Sequence, residues 1–227
     1  GRNALDANTT ASENTAIGNS AMGNNTTGAE NTAVGSASLF ANTTGANNVA
    51  IGRDALKANT TASNNTAVGY QAGTALTTGD DNVAIGFEAL KTEDAHGRNV
   101  AVGYQSLKTL NAGVVAVTTT VGYKSGTSLT TGVQNVLIGG LSGDALTTGD
   151  ANVAVGVHAL GGDTQGLHSV AIGYNSLLTQ NQTSAVNTYN VAVGSGAGQL
   201  VTTGIQNTLI GGLAGDATND GNQNVAV

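Results

Sequence analysis

A five-residue pattern, Asn-(Thr/Val)-Ala-(Val/Ile)-Gly with few departures, returns along this chain at a nearly constant 17-residue interval. Its glycines are Gly18, Gly35, Gly52, Gly69, Gly86, Gly103, Gly122, Gly139, Gly156, Gly173, Gly194 and Gly211. The interval changes only twice, where the Gly103 unit carries an insertion of two and the Gly173 unit an insertion of four. Gly1 continues the series backward, and Val227 occupies the place before the next glycine. An ordinary globular core draws on non-equivalent segments. A chain repeating at this period instead buries its apolar surface by stacking each unit on the next. Composition does not shift and nothing reads as a linker, so residues 1–227 are expected to form a single domain of 13 units. The insertions, near 112–117 and 180–189, predict a bulge or longer loop at each.

Each unit is numbered from its glycine, as in Gly69–Ile85. Position 17 is always Val or Ile, and position 15 is always Thr or Val. Two β-branched residues two apart point to one face of a strand. Between them stands Ala in 10 units, with Thr120, Leu137 and Leu209 as exceptions. A strand apolar on both faces is expected to be buried on both. Glycine at 34 residues, the recurring Thr-Thr-Gly words and the β-branched runs argue against helical repeats. The fold class is therefore all-β: a parallel β-solenoid, or β-roll, of about 13 coils. Each coil is expected to hold a strand over positions 14–17, a bend at the glycine, a short strand over positions 2–5 and a turn near Thr-Thr-Gly. At a strand spacing of about 4.8 Å the array would measure about 60 Å.

Composition narrows the function classes. Charged residues are 9%, aromatics 3%, and Pro, Cys and Trp are absent. Hydrophobic residues still reach 39%, too apolar for a disordered chain. Without Cys there is no disulfide framework, thiol nucleophile or Cys-based zinc site. A net charge of −7 supplies no electrostatic footprint for nucleic acid. No run approaches 18 apolar residues, so no membrane insertion is expected. The few large side chains are rationed. Where position 5 is Leu or Met, position 8 is usually polar, as in Leu5/Asn8, Met22/Asn25, Leu39/Asn42 and Leu56/Asn59. Where position 5 is Gly, position 8 is usually large, as in Gly73/Leu76, Gly126/Leu129, Gly143/Leu146 and Gly198/Val201. Gly215/Thr218 and Leu107/Leu110 break the rule. One large group per unit, supplied from either place, reads as volume compensation in a shared core slot.

Position 14 is Asn14, Asn31, Asn48, Asn65, Asn82, Asn99, Asn135, Asn152, Asn190, Asn207 and Asn224, with Thr118 and Ser169 in the other units. This column reads as a structural ladder, each amide bonding the next coil and the turn backbone, rather than an exposed recognition row. The repeat glycines likewise read as a positive-φ bend or a close approach of backbones. Thr pairs at positions 9 and 10, from Thr9–Thr10 to Thr202–Thr203, are turn residues whose regular array is also the feature an ice-binding solenoid would need. Position 2 carries an aromatic column, Tyr70, Phe87, Tyr104, Tyr123 and Tyr174, with Tyr189 apart in the second insertion. This candidate ligand surface stacks on sugar rings or a neighbouring chain, or else packs over the glycine bend. It lacks the interleaved basic residues of a nucleic-acid platform. The Asn-x-Thr triplets follow from the composition.

Catalytic signatures are missing. His96, His158 and His168 show no metal-ligand spacing. Gly194-Ser195-Gly196 is a glycine-rich bend without the elbow pattern of a nucleophilic serine. Asp80, Asp81, Asp144, Asp150, Asp163, Asp216 and Asp220 read as solvated turn carboxylates. Gly161-Gly162-Asp163 matches one fragment of the calcium-binding nonapeptide repeat, once. No catalytic, cofactor-binding or metal residue is assigned, and the expectation is a non-enzyme.

The words NTAVGYQAG (Asn65–Gly73), NVAIGFEAL (Asn82–Leu90) and HSVAIGYNSL (His168–Leu177) resemble the head repeats of YadA-like trimeric autotransporter adhesins. The 17-residue arrays of phage tail fibres and related surface fibres are more similar still, over the whole chain. The resemblance implies a left-handed parallel β-roll, three chains packed side by side, an extracellular cell-surface or virion location, and a role in display or attachment. Patterning supports a homotrimer separately. A 17-residue coil encloses little, so the Ala face of its strand is expected to be exposed in a lone roll and to need covering by other chains. The end residues continue the repeat in phase, Val227 onto Gly1 of a copy, so two expectations stand. The chain is a segment of a longer fibre, or subunits stack head to tail into a filament. The function expected is a non-catalytic section of a surface fibre. Its partners are further copies of itself and a host-surface receptor or glycan, met at the aromatic column or at the inserted loops.

Overall fold

The computed structural model describes residues 1–227 and divides them into two compact units, Gly1–Ala116 and Val117–Val227. The boundary falls inside the first insertion. Neither unit contains a helix, and no helix is long and apolar enough to cross a membrane. In the first unit the strands are β1 (Thr15–Ile17), β2 (Thr32–Val34), β3 (Val49–Ile51), β4 (Thr66–Val68), β5 (Val83–Ile85) and β6 (Val100–Val102). They pair in parallel, in chain order and in strict register, so that Ala67 lies beside Ala84 and Ala84 beside Ala101. The second unit repeats this with β7 (Thr119–Val121), β8 (Val136–Ile138), β9 (Val153–Val155), β11 (Val170–Ile172), β13 (Val191–Val193), β14 (Thr208–Ile210) and β15 (Val225–Ala226). A second, two-stranded sheet pairs β10 (Gly166–Leu167) with β12 (Val186–Asn187) in the second insertion. Each unit is a parallel β-solenoid with one coil per repeat.

The strands occupy positions 15–17 only, and the short strand expected over positions 2–5 is absent. In its place the chain makes consecutive turns. Residues at positions 3 and 5 both adopt positive φ, as at Gln105 (54°) and Leu107 (48°), and position 13 does the same, as at Arg98 (66°). Thirty-three non-glycine residues are left-handed in this way, a conformation that costs each about 1 kcal/mol. What it secures is closure of the short coil while successive amides alternate in direction. Ala37 donates back to Asn19 at 2.9 Å, and Leu39 donates forward to Ala55 at 2.9 Å. The ladder between coils thus continues through the turns.

The strand faces are reversed from expectation. Ala33, Ala50, Ala67, Ala84, Ala101, Ala154, Ala171 and Ala192 are fully buried inside the coils. The β-branched face is the outer one: Ile51, Ile85, Ile138 and Ile172 are each 37–39% exposed. The interior is too narrow for a column of Val or Ile because it also receives the large side chain from position 5 or 8. Met22, Leu39, Leu56, Leu90, Leu107, Leu160 and Leu177 fill it from position 5, and Leu76, Leu110, Leu129, Leu146 and Val201 from position 8.

The compensation between these positions is direct. A Cβ on Gly73 would lie 3.0 Å from Cδ1 of Leu76, and one on Gly198 would lie 3.3 Å from Cγ2 of Val201. The exception at Gly215 is filled by Leu209, whose Cδ2 would be 2.6 Å from an added Cβ; Leu137 approaches Gly143 similarly. Leu at position 16 is therefore a third source of the same volume. Replacing Leu76 by Asn alone should open a void over Gly73 and cost about 2–4 kcal/mol. Adding Gly73→Leu should recover most of it, because Leu already adopts this backbone at Leu56. Thermal melts of the two single variants and the double variant check this. A double variant as unstable as the sum of the singles would refute the exchange.

Candidate functional site

Stacked coils place equivalent residues in columns, so any site here is built from columns. At position 1 the repeat glycines have φ between 125° and 144°, where side chains are not tolerated. A Cβ on Gly18, Gly35, Gly52, Gly69, Gly86, Gly122, Gly139, Gly156, Gly173 or Gly194 would lie 2.2–2.5 Å from the carbonyl oxygen of the next repeat glycine. That next glycine is Gly103 for Gly86 and Gly211 for Gly194. This column is backbone against backbone and offers no side chain to a ligand.

Position 14 is buried from Asn31 to Asn99 and from Thr118 to Asn207. Oδ1 of Asn48 accepts the amide of Asn65 at 2.9 Å, and Nδ2 of Asn65 donates to the carbonyl of Gly79 at 2.9 Å. The pattern recurs from Asn14, Asn31 and Asn82 to Asn99, and from Asn135 and Asn152 to Ser169. It recurs again at Asn190, Asn207 and Asn224. A second ladder at position 8, which patterning registered only as a polar alternative to Leu, runs Asn8, Asn25, Asn42, Asn59, with Nδ2 of Asn42 on Oδ1 of Asn25 at 2.7 Å. It stops where Leu76 follows, leaving Oδ1 of Asn59 buried and without a donor. The first Thr of each pair is also engaged: Thr26 Oγ1 donates to the carbonyl of Thr43 at 2.9 Å. Asn65→Ala should cost about 3 kcal/mol, by leaving the Asn82 amide and one bond of the Gly79 carbonyl unmet; a loss under about 0.5 kcal/mol in denaturant titration would refute the ladder as a structural element.

The aromatic column is exposed, but its faces are largely spent. Tyr70 and Phe87 stack with centroids 5.3 Å apart and planes 16° apart, and Phe87 and Tyr104 stack at 5.1 Å and 8°. The Arg53 guanidinium lies 6.0 Å from the Tyr70 centroid, beyond the outer ring. In the second unit the Lys124 ammonium is 5.5 Å from the Tyr123 ring. Tyr174, 58% exposed, stands between Val157 and Ser195 in its column. Such a ribbon offers ring edges and hydroxyls more readily than flat faces for a sugar.

At position 3, next to the ribbon in the chain, lies a charge cluster that patterning did not single out. Glu88 is nearly buried. Lys91 meets its Oε1 at 2.7 Å, Lys108 meets its Oε2 at 2.8 Å, and Gln105 donates to Oε2 at 2.9 Å. The two ammonium groups, Lys108 first, hold its carboxyl down at about 2 against partial desolvation. A lowered carboxyl stabilises the fold fully above its ordinary range and loses that contribution as pH falls from about 4.5 to about 2. Glu88→Gln should therefore melt below the parent at pH 7, with the gap closing as the pH approaches 2. A gap independent of pH would refute the ion pairs as its source.

Two carboxylates depart from the solvated state expected of them. Asp144 is half-buried, and the loss of water raises its carboxyl above the usual range. Asp163 is fully buried: Oδ1 accepts the amides of Gly166 and Gln182, each at 3.0 Å, and Oδ2 accepts Nε2 of Gln180. Gln180 in turn bonds Ser169 at 2.7 Å and Asn190 at 2.8 Å. Asp163 thus anchors the second insertion by accepting its donors, and its carboxylate is not presented to solvent. That insertion exposes Asn181, Thr183, Ser184, Ala185, Asn187 and Tyr189, while Val186–Asn187 joins β10 and Gln182 and Thr188 are buried. Tyr189 lies against His168 at 5.3 Å. In the first insertion Val114 and Val115 are about half exposed.

Comparison with protein families, curated proteins and solved structures finds no match to this chain.

Proposed function

We propose that this chain is a non-catalytic structural and adhesive section of an extracellular surface fibre, on a cell or a virion, and that it works as a side-by-side homotrimer. The observation that carries the reading is the outer face of the main sheet in each unit. Position 17 forms an apolar column there, including Ile51, Ile85, Val121, Ile138, Ile172 and Ile210, all 37–42% exposed, beside a column of Val and Thr at position 15. A continuous β-branched face of this kind normally marks an interface. Copies related by a threefold axis would cover it with the same residues from each chain. The covered face is thus the β-branched one, and not the Ala face that patterning alone pointed to.

In this reading the ladders supply stiffness, and the turns, the aromatic ribbon and the two insertions are the display surface. The partner is a receptor or glycan on a host surface, engaged by ring edges, the Tyr hydroxyls and the projecting loop residues. The resemblance of NTAVGYQAG and NVAIGFEAL to adhesin and tail-fibre repeats supports the same reading.

Light scattering after gel filtration tests it. The parent should run as a discrete species near three times 22.2 kDa. Ile51→Lys with Ile85→Lys should give a folded species of 22.2 kDa, since these side chains point out of the coil. Ala84→Lys, by contrast, should unfold its coil. A monomeric parent, or a lysine variant that keeps the parent's mass, would overturn the trimer. A broad polymer whose mass grows with concentration would favour head-to-tail assembly instead.

A further inference from the structure

Position 8 of the coil that begins at Gly86 is neither Asn nor Leu but Glu93, and its side chain is fully buried. The turn that follows brings Asp94 and His96 to it. One ligand-type atom from each of Glu93, Asp94 and His96 lies within 4.8 Å of the other two. Nδ1 of His96 is inaccessible to solvent and has no hydrogen-bond partner. It faces Oε1 of Glu93 at 3.4 Å. We propose that Glu93, Asp94 and His96 form a binding site for one divalent transition-metal ion of the zinc class.

The distances and the donor set favour an ion over a bare contact. At 3.4 Å the Nδ1–Oε1 approach does not make a hydrogen bond, so the bonding capacity of this imidazole nitrogen is unmet. Four ligands placed tetrahedrally at zinc bond lengths of about 2.05 Å are separated by about 3.4 Å along each edge, which is the Glu93–His96 spacing. One imidazole and two carboxylates are a donor set that suits zinc and its neighbours. Asp94 is exposed, so its carboxylate can rotate inward and leave the fourth position to water.

The frame around the three ligands is already fixed. Oε1 of Glu93 accepts the amide of His96 at 3.2 Å, and Oε2 accepts that of Ala112 at 3.4 Å. The Asp94 carbonyl accepts the Thr77 amide at 2.6 Å and the Thr77 hydroxyl at 2.8 Å. The His96 carbonyl accepts Nδ2 of Asn82, at 3.3 Å, from the position-14 ladder. A cleft of about 220 Å³ borders the other side of this turn, lined by Asp80, Asp81, His96 and Arg98 among others. Spacing along the chain concealed the site because its ligands sit at i, i+1 and i+3 on a turn rather than at helical intervals.

The test uses the full chain stripped with a chelator. Calorimetric titration with Zn²⁺ should give one saturable equivalent, and Co²⁺ should give the visible absorption of a low-coordinate N/O site. Zinc should raise the melting temperature of the parent. His96→Gln should lose the saturable binding and the thermal shift, while His158→Gln and His168→Gln should keep both. If His96→Gln fails to fold, the exposed Asp94→Asn carries the test through weakened affinity at unchanged metal-free stability. No saturable equivalent in the parent would overturn the site. Binding that survives both His96→Gln and Asp94→Asn would overturn it as well.

Discussion

Everything in either unit rests on how closely consecutive coils approach at the repeat glycine. There one backbone lies on the next with no room for a side chain, since an added Cβ would fall within 2.5 Å of a carbonyl oxygen. That contact sets the coil spacing at the value a parallel ladder requires. Once it is set, every other position inherits a neighbour of its own kind. The asparagines at position 14 bond one to the next, the Thr hydroxyls reach the next carbonyl, and Tyr70, Phe87 and Tyr104 stack. None of these columns requires a long-range fold to bring its members together; translation by one coil does so.

Closure of the coil is the second constraint, and it opposes the first in cost. So short a loop reverses direction sharply enough to need left-handed backbone at three positions, mostly without glycine. The strain is repaid by ladder bonds and by complete burial of one or two large side chains in most coils. The interior holds little else, which is why alanine lines the strand inside and why the β-branched residues are turned out. The same narrowness makes Glu93 and Asp163 notable: each buried carboxylate is capped by backbone amides instead of by a neutral core.

The period, the strand position, the glycine column and the exchange between positions 5 and 8 were legible in the sequence, because each is a one-dimensional regularity. The inward face was not. Ala and Val/Ile are both apolar, and hydrophobicity does not say which fits a cavity whose width is known only after the turns are built. The turns themselves were misread as a strand, because Leu and Gln carry no mark of positive φ as glycine does. The Asn8–Asn59 ladder looked like mere absence of leucine. The Glu88 cluster is assembled across two coils, from Lys91, Gln105 and Lys108, so no local motif announces it. Asp163 looked like a turn carboxylate because its donors Gln180 and Gln182 come from the insertion one coil on.

The orphaned oxygen of Asn59 has a wider consequence. Coils come in kinds, according to what they place at position 8; Asn coils satisfy one another, Asp163 and Gln180 satisfy each other, and Asn59 against Leu76 leaves a polar atom stranded at the seam. The stack behaves as a one-dimensional lattice, in which a wall between an Asn coil and a Leu coil costs about as much as one buried unmet acceptor. Coils are then not freely interchangeable despite sharing one backbone. Duplicating a coil inside a run of its own kind adds length without adding a wall, whereas moving it elsewhere adds two. Arrays built this way should lengthen by copying neighbours and should keep coils of one kind in blocks, as the four at Asn8, Asn25, Asn42 and Asn59 are kept.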